Sequence, residues 1–253
     1  MPAARIAWHV LTRLRAALLA ASFGGWLLLF VLENAFALPA LCRPTGGGYA
    51  AGRGLEAVLG SNPASFVLLW GAMLLAMMAP LLAPPLLHVW RRSLTRRRVR
   101  AVALFLLGYA VVWVAAGSLL AAGAFTLGSV AQAAGLPPLA IAALVLVGWQ
   151  ATPVKQISLN RCHGRPPLAA FGLRAEADAL RYGANHGVWC VGACWAFMLL
   201  PLATDGLLHW TMMVLVMLIA IVERARVPGA ARWGAAWPGL PQLRFGSPLG
   251  SSA

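Results

Sequence analysis

The chain has 253 residues, of which 61% are hydrophobic and only 10% charged, and its mean hydropathy is +0.78. A water-soluble domain of this length needs far more charge on its surface, so that class is excluded. The formal net charge of +14 raises nucleic acid as a partner, but no soluble module gathers the basic residues, and none is expected to bind it.

A membrane span needs about 20 largely apolar residues, because lipid offers the backbone no hydrogen-bond partner. Asp, Glu, Lys and Arg are absent from 16–32, 57–90, 101–154, 182–204 and 206–222. The third run is too long for one span and is broken by a turn-like stretch at 128–138. The sequence therefore predicts an all-α membrane bundle of six transmembrane helices, at about 14–38, 63–90, 99–127, 137–154, 185–204 and 206–224.

Helix one has a basic start and ends near Ala35-Phe36-Ala37, which resembles a secretory signal with its cleavage site. Its apolar stretch exceeds a usual signal core, so it reads as an uncleaved anchor. Glu33 stands near its outer end, and the Gly-rich loop 39–62, with Cys42, follows outside. Helix two holds "MLLAMMAP", with Met73, Met77 and Met78, then Pro84-Pro85, which should kink it; His88 lies near its inner end. Helix four closes with "GWQATPVKQ". In the connection after it, "LAAFGLRAEADALRYGA" mixes apolar and charged residues at near-helical spacing, with Arg174 and Asp178 four apart. It reads as a short helix on the membrane surface between helices four and five. A tight turn at Asp205-Gly206 leads to helix six, with His209 at the outer interface and Glu223-Arg224 at the inner end. Residues 1–228 form one transmembrane domain, and 229–253, rich in Pro and Gly, is expected to be a disordered cytoplasmic tail.

Eighteen of the 20 Lys and Arg fall in alternate connections: before helix one, in 91–100, in 155–181 and after helix six. Only Arg43 and Arg53 stand in the other set. This positive-inside pattern predicts a multi-pass membrane protein with both termini facing the cytoplasm. Attraction to anionic lipid is the further effect of the charge.

Cys42 is alone on the outer side, while Cys162, Cys190 and Cys194 map to the reducing inner side, where a disulfide framework is not expected. In "NHGVWCVGACWAFM", His186, Cys190, Cys194 and Met198 recur every four residues, about 400° of helical turn, so they form a slowly spiralling stripe. Imidazole, thiol and thioether are soft donors that suit Cu(I), with Zn(II) the lesser candidate. Cys and Met also pack well in helical bundles, and on spacing alone both readings stand. "NRCHGRP" sets Cys162 beside His163 between Arg161 and Arg165, which favours a thiolate. Met73 and Met77, one turn apart, could pass Cu(I) along helix two, or simply fill the core. No phosphate loop, Gly-x-Ser-x-Gly elbow or His-Glu-x-x-His is present, and no enzyme activity is expected.

Together, "MLLAMMAP", "TPVK" leading into "LNRCHGRP", "GVWCVGACWAFM" and a last helix ending "VER" resemble a bacterial family of predicted metal-binding integral membrane proteins. That family is catalogued as a domain of unknown function, and some members are labelled copper-chaperone-like. The resemblance covers 63–228 and implies metal binding through Met73, Met77, Met78, Cys162, Cys190 and Cys194. The usual Lys-x-x-Cys-Leu-x-x-Cys is here Lys155-Gln156-Ile157-Ser158, leaving Cys162. Ala193 replaces the first of two adjacent cysteines. The expected function is soft-metal handling, chiefly of copper, with Cys162, Cys190 and Cys194 as ligands completed by His163 or His186. Met73, Met77 and Met198 would form a route within the membrane, and a metallochaperone or membrane protein would be the partner. The rival readings are a non-catalytic subunit or assembly factor with packing cysteines, and a thiol-disulfide enzyme using Cys190 and Cys194.

Overall fold

A computed structural model describes residues 2–35 and 63–234 of the chain. Cys42, Arg43, Arg53 and the outer loop lie outside the described residues, as does 235–253. The described residues form an all-α bundle: α1 (Pro2–Ala35), α2 (Pro63–Met78), α3 (Ala83–Arg92), α4 (Arg98–Ala133), α5 (Pro138–Ala151), α6 (Pro153–Cys162), α7 (Gly172–Leu202) and α8 (Gly206–Ala225).

Five stretches are long and apolar enough to cross a membrane: Thr12–Leu32, Phe66–Arg92, Thr95–Ala133, Gly172–Leu202 and Gly206–Ala225. Their outward faces carry large apolar side chains such as Leu119 and Leu207, as lipid requires. Where a sixth straight span was expected at 137–154, α5 and α6 meet at an angle of 73°. The bend has a local cause. Pro153 forces Thr152 into extended backbone, and the Thr152 hydroxyl then accepts the Lys155 N–H, capping a new helix.

The break in helix two lies upstream of Pro84-Pro85, at the 3-10 turn Ala79–Leu82. A proline at position i deprives the carbonyl at i−4 of its donor and crowds it, so Pro84 and Pro85 disturb the ladder at Pro80 and Leu81 while sitting comfortably in the first turn of α3. Where a separate short surface helix was expected before span five, "LRAEADALRYGA" instead belongs to the first turns of the 31-residue α7. Within it Asp178 accepts the Ala169 N–H, and Glu176 pairs with Arg100 at 2.9 Å. His209, in the first turn of α8, is 3% exposed, and its Nδ1 faces the Pro201 carbonyl oxygen at 2.7 Å. The start of the tail is also tied down: Asn160 exchanges two hydrogen bonds with the Gly229 backbone.

α4 and α7 run parallel in the closest contact of the bundle. Gly183 lies against the Phe105 carbonyl, Gly108 against that of Leu180, and Gly187 against Val112. Without Cβ atoms the backbones touch, a packing mode common where lipid supplies no hydrophobic drive between helices. α5 runs back antiparallel to α7, since Val145 shares a groove with Leu199 while Trp149 donates to the Gly192 carbonyl. α8 follows α7 after a tight turn in which Gly206 has φ +54°, a conformation that favours glycine. α1 is tied to the other helices by the Ser22 hydroxyl, which donates to the Ala76 carbonyl.

Candidate metal centre

The glycine seam decides what faces the thiols. With α4 drawn close to α7, Tyr109 reaches across and its Oη lies 3.3 Å from the Cys190 Sγ. Cys190 and Cys194 stand one turn apart on α7 and are 1% and 2% exposed. The Trp113 indole borders the same thiol, and its N–H has no partner of good geometry. The result is a buried pair of sulfurs with two polar aromatic groups beside it.

The other proposed ligands are less closely drawn in. Cys162, at the end of α6, is buried and within electrostatic range of Cys190. However, no three His, Cys, Asp or Glu side chains converge on a metal position among the described residues. The three-thiol centre with a completing histidine is therefore not preformed. His163 has both ring nitrogens against carbonyl oxygens, Leu159 at 2.9 Å and Arg224 at 3.1 Å, so neither faces the thiols as a free donor. His186 lies one turn before Cys190 with its ring packed among Phe105, Tyr109 and Tyr182. Met73, Met77, Met78 and Met198 are all buried in the one apolar core that also holds Cys190 and Cys194.

Sequence reasoning missed the charges beside the thiols. Lys155 is fully buried. Its ammonium donates to the Ala193 carbonyl, between the two cysteines, and to Glu223 Oε2 at 2.7 Å. It also lies 4.6 Å from the Phe197 ring. The other Glu223 oxygen accepts from Gln150 at 2.9 Å. Arg224, which the charge pattern placed on the cytoplasmic side, is half-buried, and Cys190, Cys162, Cys194, Tyr109 and His186 are among the groups in its electrostatic range. Its Nε and Nη2 are buried without a hydrogen-bond partner. The available signal was the pair of charged motifs, "TPVK" and "VER", each abutting an apolar run.

What the fold and site define is a membrane-embedded α-helical protein whose buried soft-donor pair is backed by a guanidinium. Residues 67–244 match the model of the family PpoB2, described as a copper chaperone, and the chain belongs to that family. The description is of a carrier and not a catalyst. No curated protein and no solved structure matches the chain.

The donor chemistry fits copper as cargo. Two thiols are enough for Cu(I), which accepts few soft ligands, whereas structural Zn(II) sites want four.

Proposed function

We propose that this protein handles Cu(I) in the bacterial inner membrane, holding the ion as cargo between Cys190 and Cys194. The carrying observation is the burial of these two cysteines, one helical turn apart on α7, in a chain of the copper-chaperone family. Tyr109 and Trp113 position the Cys190 sulfur from the facing helix. Cys162, nearer the inner end, is the exchange thiol through which a soluble or membrane partner passes metal. His163 and His186 become ligands only after their rings turn from their present partners. Met73, Met77, Met78 and Met198 supply thioethers for the ion deeper in the membrane. Zn(II) is the weaker cargo.

The topology in this proposal is six crossings with both termini in the cytoplasm. Supporting it, α5 travels back along α7 and ends beside Glu223 at the far end of α8, so the bent pair does the work of one crossing.

The test is Cu(I) binding by the full chain in detergent without oxygen, in competition with a chromophoric chelator. Wild type should retain about one ion, C162S most of that, and C190S/C194S none. Equal binding by wild type and C190S/C194S would refute the assignment. The burial of Cys162, Cys190 and Cys194 also suits a second reading, an assembly factor whose thiols only pack; that reading requires C190A/C194A to keep wild-type behaviour with no metal bound by either.

A further inference from the structure

The inner end of α8 sets opposite charges side by side in sequence, and only one of them is answered. Glu223 spends one oxygen on Lys155 and the other on Gln150, so the lysine and the carboxylate cancel. Arg224, half-buried, has no such partner for its Nε and Nη2, which are buried with nothing to donate to, and the groups in its electrostatic range are three thiols, a phenol and His186. His186 faces the same region from α7 among aromatic rings, and His163 lies toward solvent. The interior around the sulfurs thus holds one positive charge in excess, in surroundings where an unanswered charge is costly.

We propose that Arg224 is the specificity-determining residue of this site and makes it select a monovalent metal ion over a divalent one. The proposal rests on the assignment of Cys190 and Cys194 as the cargo ligands. Binding breaks two S–H bonds, forms two metal–sulfur bonds and releases two protons to solvent; no electron moves. Two thiolates around a monovalent ion carry a net charge of −1, which the guanidinium cancels. The same pair around a divalent ion is neutral and leaves Arg224 unanswered. Coordination number alone does not provide this discrimination, because some divalent ions also accept two thiolates in line.

Ag(I) and Hg(II) separate charge from geometry, since both take two thiolates linearly. Full-length protein carrying C42S/C162S, so that only Cys190 and Cys194 can bind, is loaded in detergent with both ions in competition, and the bound ratio is read by elemental analysis after desalting; every variant below is made in that background. R224Q should shift the ratio toward Hg(II) by at least about tenfold, and R224K should keep it near wild type. E223Q, which adds a second unanswered positive charge, should move it further toward Ag(I). An unchanged ratio in R224Q, with binding still abolished in C190S/C194S, overturns the proposal while leaving the cargo site standing. Metal retained by C190S/C194S overturns both. Should R224Q not fold, an E223Q ratio equal to wild type or shifted toward Hg(II) refutes the charge argument by itself.

Discussion

Replacing Lys155 by methionine tests the polar cluster most directly. The lysine side chain is 0% exposed and its partner carboxylate 2%, so the substitution strands a charge in the bundle. Breaking a buried ion pair by removing one partner costs about 3–5 kcal/mol. Loss of the contact with the Phe197 ring overlaps with that cost and does not add to it in full. At roughly 2–4 °C per kcal/mol for a chain of this size, K155M should lower the melting temperature by about 10 °C. K155M/E223L removes both charges and fills the space with apolar atoms, so it should recover most of the loss. The assay is thermal unfolding in detergent followed by tryptophan fluorescence, with size-exclusion elution as the check on folding. A K155M melting temperature within a degree or two of wild type, or a double variant no better than the single one, would show that the pair is not the buried latch described above.

G183A should destabilise by about 1–3 kcal/mol, because its new Cβ would overlap the Phe105 carbonyl and the two helices must part. G123A, where a Cβ meets nothing within 4 Å, should stay within about 0.5 kcal/mol of wild type in the same melt. Y109F removes the hydroxyl that touches Cys190. It should change Cu(I) affinity by no more than about tenfold in the chelator competition, a far smaller effect than the loss in C190S/C194S.

The spans were legible because their cause is compositional: a lipid-crossing segment must be apolar along its whole length. Cys190 and Cys194 were legible because spacing on a single helix fixes their adjacency. Tyr109 was not. Its approach depends on Gly108, Gly183 and Gly187 meeting across two helices more than 70 residues apart in sequence, and only in hindsight do those glycines mark the seam. Lys155 and Arg224 were misplaced for a related reason. Counting basic residues by loop treats each one as hydrated, but Lys155 finds Glu223 at a separation of 68 residues. Pairing at that range shows locally only as two charged motifs that each abut an apolar run. The bend after α5 was written in "TPVK", where proline and its predecessor act locally, but the sequence reading carried the apolar run straight through it.

The α4–α7 seam and the α6 collar differ in how they resist movement. The seam is backbone laid on glycine, so sliding it drives carbonyls into one another and opens voids that no solvent fills. The collar is held by hydrogen bonds, Asn160 to Gly229 and His163 to the Arg224 carbonyl among them, and at its exposed edge water can substitute for each. Mechanically, the two parallel helices form a stiff post, and the compliance of the inner face resides in the short tilted helix beside it.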